Sequence, residues 1–316
     1  MTLILEVQDL VKQYPGAAEP AVKGISFGVR RGEVFSLLGP NGAGKTTTIG
    51  MLSCLLKPTR GEAAIDGHSI RAESDAVKHA IGIVPQDIAL YPTLSARENL
   101  RFWGQMYGLG GKELARRIEE ILEVVGLSDR AGDRVESYSG GMKRRINIAA
   151  GLLHRPKLVF LDEPTVGIDP QSRRNILDMV KALNAQGMTV LYTTHYMEEA
   201  QELSDRIGII DHGELIALGT LDELTRLVGR QDEIELKIAS EHAGPELAEA
   251  LGKVRGIRSA HSEDHTVRLM ADDANASLPE VISTANAQGV KVIGIAIREP
   301  NLEAVFLHLT GRALRD

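Results

Sequence analysis

GPNGAGKTT, Gly39 to Thr47, is the stretch on which the fold turns. It satisfies G-x-x-x-x-G-K-[ST], with EVFSLL before it and TTIGMLSCLL after it, so a strand is predicted to enter the loop and a helix to leave it. Glycines at 42 and 44 let the backbone close round phosphate groups, successive N–H groups make an anion nest, and the helix start adds its positive end. Lys45 supplies a point charge for β and γ phosphates, and the Thr46 hydroxyl suits a magnesium ion. Outward from the loop, AIGIVPQ (80–86), KLVFLDEP (157–164) and MTVLYTTH (188–195) read as further buried strands, each ending in a polar turn. Such strands joined by helices predict an α/β fold, a P-loop NTPase with a mostly parallel sheet.

LVFLDEP ends an apolar strand on two adjacent acids, and neighbouring side chains at a strand end point different ways. Asp162 is expected to face a magnesium ion and Glu163 an attacking water, because paired carboxylates there are costly unless a cation or water uses them. Between the second and third runs lie LSARENLRFWGQMYGL and GKELARRIEEILEVVGL, in which Leu114, Ile118, Ile121, Leu122 and Val125 recur at helical spacing. They predict a helical subdomain over about 87–155. Trp103 and Tyr107, at i and i+4, are expected to pack its core or to offer apolar surface to a partner. Lys143, Arg144 and Arg145 are read as a solvated face near bound phosphate.

The composition narrows the function classes. Of 316 residues, 43% are hydrophobic and 25% charged, which excludes a disordered or disulfide-scaffold chain. A net charge of −7 and only 4% aromatics argue against a nucleic-acid surface, so no nucleic-acid partner is expected. The single cysteine, Cys54, is read as a small buried hydrophobe in a reducing compartment. The opening MTLILEVQDLVKQYPG does not read as a signal peptide, and no stretch reaches the ~18–20 apolar residues of a membrane span. A cytoplasmic chain is expected, held at the membrane only through a partner.

Residues 1–222 read as one nucleotide-binding domain and 223–232 as a linker, with Gly229 ending a helix. Residues 233–316 read as a small α+β domain. Its order is strand DEIELKIA, helix PELAEALGKV, hairpin GIRSAHSE/TVRLMA turning at Asp264 and His265, helix SLPEVISTANAQG and strand VKVIGIAI. That βαββαβ order is a ferredoxin-like pattern, followed by a last helix in NLEAVFLHLTG.

Together these residues resemble the nucleotide-binding subunit of an ABC transporter. YSGGM, Tyr138 to Met142, is similar to the family's signature loop, Gln86 to its glutamine loop, and Gly167 to Pro170 to the loop along its dimer interface. His195 is similar to the switch histidine, and Tyr14 stands where the family places an aromatic against adenine. Tyr138 and Met142 depart from the common LSGGQ and, with the tail REPNLEAVFLHLTGRALRD, resemble the drug-exporter branch typified by daunorubicin resistance ATP-binding proteins.

The resemblance implies a homodimer that sandwiches two ATP molecules and works with an integral membrane permease subunit. ATP contacts would come from Tyr14, Gly39, Asn41, Gly42, Ala43, Gly44, Lys45, Thr46 and Thr47. Ser139, Gly140, Gly141 and Asp169 would contribute from the other copy's side of the interface. Thr46, Gln86 and Asp162 would hold Mg2+, and Glu163, His195, Lys45 and Gln86 would carry the hydrolysis. The implied task is export of drug-like or lipid-like molecules, with the appended domain adding dimer contacts or regulation. The alternatives are another cargo, such as an ion, polysaccharide or peptide, or a nucleotide-dependent switch outside transport.

Overall fold

Five consecutive buried residues, Val34 to Leu38, leave no solvent-facing side, the mark of a strand covered on both faces. The computed structural model describes residues 2–228, 232–239, 245–263, 265–298 and 301–311. The chain divides between Leu221 and Asp222 into two units.

The first unit runs β1 (Leu3–Lys12), β2 (Val22–Arg30), β3 (Val34–Leu38), α1 (Lys45–Leu52), β4 (Arg60–Ile65), β5 (His68–Ser69), α2 (Ser74–Ala80) and β6 (Ile81–Val84). It continues through α3 (Ala96–Met106), α4 (Gly111–Val124), α5 (Gly140–Leu152), β7 (Leu158–Asp162), α6 (Pro170–Ala185), β8 (Thr189–Thr194), α7 (Met197–Leu203), β9 (Arg206–Asp211) and β10 (Glu214–Gly219). The main sheet has the order β10-β9-β3-β8-β7-β6. All its pairings are parallel except β9 with the edge strand β10. Parallel strands bring their carboxyl ends to one edge, where open α/β sheets bind ligands. The loops carrying Gly39, Gln86, Glu163 and His195 all leave from that edge.

A second sheet, β2-β1-β4-β5, is antiparallel throughout. The continuous apolar runs did not announce it, because its strands are half-buried and broken by register shifts in β1.

Helices α3, α4 and α5 form the helical subdomain around Leu100, Leu114, Ile118, Ile121, Leu122 and Ile146, all buried in one core. Ser95 and Glu98 close a capping box at the start of α3, satisfying backbone N–H groups at both positions. The two longer helices tie each other's ends. Arg117 on α4 donates to the carbonyls of Leu152 and Leu153 at the end of α5, and Arg145 on α5 donates to Val125 and Gly126 at the end of α4. This corrects the reading of 143–145 as a solvated face. Arg145 is half-buried as a helix cap, and Arg144 is buried, because the first turn of α5 lies inside the subdomain. Tyr107 is taken up internally, stacked on His154 with ring centroids 3.8 Å apart. Cys54 is half-buried.

α8 (Leu221–Thr225) crosses the boundary, and the second unit continues with β11 (Asp232–Ile238), α9 (Pro245–Gly252), β12 (Ile257–Glu263), β13 (Thr266–Ala271), α10 (Ala274–Ala287), β14 (Val292–Arg298) and α11 (Leu302–Thr310). Its antiparallel sheet, β12-β13-β11-β14, has the ferredoxin-like strand order. Ile234, Leu236, Val267, Leu269 and Val281 centre a core of its own. Gly229 and Asp264, given turn roles above, lie outside the described residues. Among the described residues no helix is long and apolar enough to cross a membrane.

Candidate nucleotide site

The loop from Gly39 to Gly44 is shaped by contacts that only glycine allows at two places. A Cβ at Gly39 would stand 2.1 Å from the Ile210 carbonyl oxygen, and Gly44 has φ +107° with its missing Cβ 2.7 Å from the Ala21 oxygen. α1 then begins at Lys45 with no side-chain cap, leaving its first N–H groups to a ligand. A cavity there is lined by Ala21, Asn41, Gly42, Gly44, Lys45, Thr46, Thr47, Gln86 and Glu163. Ala43 is buried behind it, its carbonyl accepting from the N–H of Gly213 (3.0 Å).

Lys45 is 3% exposed, and its ammonium has three hydrogens to place. They meet the Gly39 oxygen (2.7 Å), the Pro40 oxygen (2.9 Å) and Glu163 Oε1 (2.9 Å). The other carboxylate oxygen of Glu163 accepts from His195 Nδ1 at 3.0 Å. Glu163 thus stands between two nitrogens, buried, on a backbone with φ +44°. A non-glycine residue in the left-handed region costs about 1 kcal/mol, held here by the Thr193 carbonyl and hydroxyl, both accepting from the Glu163 N–H.

Asp162 ends β7 with Thr193 beside it in register. The Thr193 hydroxyl donates to Asp162 Oδ1 (2.6 Å), and Thr46 is a second hydrogen-bond partner. Burial pushes the Asp162 carboxyl above the ordinary carboxylate range and neighbouring Glu163 adds to the rise, against the two threonines and Lys45. A buried carboxylate raised in this way gains from a cation beside it. Thr46, Gln86 and Asp162 offer hydroxyl, amide and carboxylate oxygens, the hard donor set that magnesium takes when phosphate and water complete its shell. The donor chemistry fits the ion.

Ser139 and Gly140 are exposed at the start of α5 and stand outside this cavity. Ser139 caps α5, its hydroxyl accepting from Met142 N–H (3.3 Å). Gly141 is buried, and a Cβ there would lie 2.1 Å from Ser172 Oγ. Tyr138 and Met142 turn into the subdomain core, Tyr138 donating its hydroxyl to the Arg130 oxygen (2.5 Å). Asp169 caps α6 by accepting from Ser172 N–H (2.9 Å), which holds its carboxyl below the ordinary range. Tyr14 is 39% exposed, its hydroxyl 3.3 Å from that of Thr47.

Two residues of the site were not singled out from the sequence. Thr193 supports both acids. Glu199, 2% exposed, accepts from Thr165 (2.6 Å), Tyr192 (2.9 Å) and Thr194 (2.8 Å), joining the loop after Glu163 to the strand before His195. For both a signal existed: the hydroxyls of YTTH follow directly on the apolar pair Val190 and Leu191 in a strand buried at every position. Arg144, read above as part of a solvated face, is instead buried and donates to the Gln86 carbonyl.

A family profile described as ABC transporter matches residues 22–166, and one described as ATP-binding protein DrrA1-3-like, C-terminal domain, matches 219–310. The chain is 50% identical, over 99% of its length and 100% of the relative's, to the linearmycin resistance ATP-binding protein LnrL of Bacillus subtilis (strain 168). The chain belongs to the ABC transporter ATP-binding family. It is 40% identical to the daunorubicin resistance ATP-binding protein DrrA3 of Streptomyces coeruleorubidus, over 92% of this chain and 91% of that one. A dimeric ATP-binding cassette solved in a post-hydrolysis state with ADP and Pi aligns with TM-score 0.62 at 29% identity, over 68% of this chain and 98% of that one. As an ABC ATP-binding subunit the chain binds and hydrolyses ATP, and ABC ATPases work as dimers with a membrane permease.

Proposed function

We propose that two copies of this chain close head to tail round two ATP molecules and power export of drug-like or lipid-like molecules through a separate permease, on whose cytoplasmic side they sit. The observation that carries the catalytic part is Glu163 held between Lys45 and His195 beside the loop. The cargo class is supported by the resistance proteins that match nearly the full length.

In this reading the loop amides from Gly39 to Thr47 and the Lys45 ammonium take the phosphates, Asn41 and Thr47 line the entry, and Tyr14 offers its ring to adenine. Thr46, Gln86 and Asp162 would hold Mg2+, which would supply charge neutralisation for the bound phosphates. Glu163, released from Lys45 as phosphate arrives, orients water, while His195 fixes the Glu163 carboxylate and the γ-phosphate end. Ser139 to Gly141 and Asp169 complete the site of the other copy, consistent with their position outside the chain's own cavity. Exposed Ile88, Tyr91 and Met106, on the loop after Gln86 and on α3, offer the permease an apolar face. The residues from 233 onward supply dimer contacts or regulation.

The test is ATP-dependent association of Glu163→Gln by light scattering, beside the wild-type hydrolysis rate. A trapped dimer with a wild type that turns over supports the sandwich; a variant that stays monomeric at saturating ATP, with its permease present, overturns it. Cargo is tested by export from vesicles carrying the complex, where transport of an ion, polysaccharide or peptide in place of amphiphilic drugs overturns the assignment.

A further inference from the structure

Arg144 is 3% exposed, and among the described residues no carboxylate lies within ion-pair distance of it, while Asp87 and Asp162 act on it through space. Its two terminal nitrogens donate to consecutive backbone carbonyls, Nη1 to Pro85 (2.8 Å) and Nη2 to Gln86 (2.5 Å). Its Nε is buried without a partner among the described residues. Three residues on, about one turn along the same helix, Asn147 is equally buried, accepting from the Ala89 N–H (3.1 Å) and reaching toward the Pro85 oxygen (3.5 Å). A buried guanidinium whose hydrogen bonds among the described residues all go to neutral carbonyls is a costly way to fill a core, and a methionine would pack as well at less desolvation. What the fork supplies is geometry: two fixed donors that a single ammonium cannot reproduce.

The loop so gripped carries Gln86, which lines the nucleotide cavity. The helix that grips it is capped by Ser139, five residues before Arg144. We infer that Arg144, with Asn147, is a positioning residue that couples the Gln86 loop to Ser139, so that occupancy of a chain's own nucleotide site sets the loop with which that chain completes the site of its partner. The inference rests on the sandwich reading above. α5 is a continuous helix of 13 residues, stiff over the distance between its first residue and the fork, so a shift of the Gln86 backbone moves Ser139 with it. Arg144 is not among the residues that line the cavity.

The experiment places Arg144→Met and Arg144→Lys in the Glu163→Gln background, with Arg145→Met as the control that removes a helix cap from α4 while leaving the loop held. Fluorescent-ATP binding is read at concentrations where the chain is monomeric, association by light scattering, and stability by thermal melting. All variants are expected to bind nucleotide as monomers within about twofold of the parent, since the cavity is intact. The ATP concentration that half-drives association is expected to rise about tenfold with Arg144→Met and less with Arg144→Lys, the worth of a charge-assisted coupling. Arg145→Met is expected to lower the melting temperature without moving that concentration.

An unchanged association midpoint in both Arg144 variants overturns the coupling, as does an equal rise in Arg145→Met, which would make the effect one of general stability. Weakened monomer binding in Arg144→Met would place its action in the chain's own site and also overturns it. If Glu163→Gln alone fails to associate, the sandwich reading falls and the coupling with it, an outcome distinct from the others.

Discussion

Glu163 accepts from Lys45 and His195 at once, so a carboxylate holds the ammonium that a phosphate would need. Binding must exchange one anion for another. Glu163→Gln removes the competing charge, and nucleotide affinity of the monomer is expected to rise severalfold, about 1 kcal/mol, while hydrolysis falls by about 10²–10⁴ for loss of the group acting on water. Fluorescent-ATP titration and phosphate release check the two halves; equal affinity would mean that the ion pair costs binding nothing. Thr193 presents the complementary case. Its hydroxyl serves Asp162 and the Glu163 N–H, so Thr193→Val should cost about 1–3 kcal/mol in urea unfolding and lower kcat more than KM. The two acids and the lysine were legible in the sequence because charge beside an apolar run is conspicuous. Thr193 and Arg144 were not, since a threonine in a strand is ordinary and an arginine next to two other basic residues reads as surface until the helix face it occupies is known.

Helices and strands of the first unit differ in how openly they are written. β3, β7 and β8 are buried at every position and follow from composition alone, whereas the antiparallel sheet needs pairing partners far apart, as with Leu5 and Ile65. The capping box of α3 makes a clean test: Ser95→Ala should cost about 0.5–2 kcal/mol of stability in chemical denaturation and leave ATP affinity alone. At the end of α5, His154 donates Nε2 to the Ile81 carbonyl while Nδ1 lies buried without a partner among the described residues. Burial holds its pKa below the ordinary 6.5. The native state therefore stays neutral where the unfolded chain takes up a proton, so this group's contribution is intact above 6.5 and is lost as pH falls from there through the native pKa. His154→Gln keeps an N–H donor and cannot titrate, so the loss of unfolding free energy between about pH 7.5 and about pH 5.5 should shrink; an unchanged acid limb would assign it to other groups.

On the scale of the whole molecule, the second unit has its own sheet and core, and the segment 232–311 is expected to fold alone with a cooperative thermal transition. A broad, non-cooperative melt would show that it needs the remainder. A chain ending near Leu227 should still bind ATP and should lose part of its association or its hydrolysis with the permease; full retention of both would make the appended unit dispensable for either. The order of its elements was readable from alternation and turn residues, while its task was not, because a ferredoxin-like sheet carries no chemistry in its pattern. In the first unit, α4 and α5 each fasten the loose end of the other through Arg117 and Arg145. A pair of rods pinned at both ends resists shear along its length. Torque delivered to one helix by a membrane partner would therefore turn the pair as a single crank, with little of the motion dissipated between them.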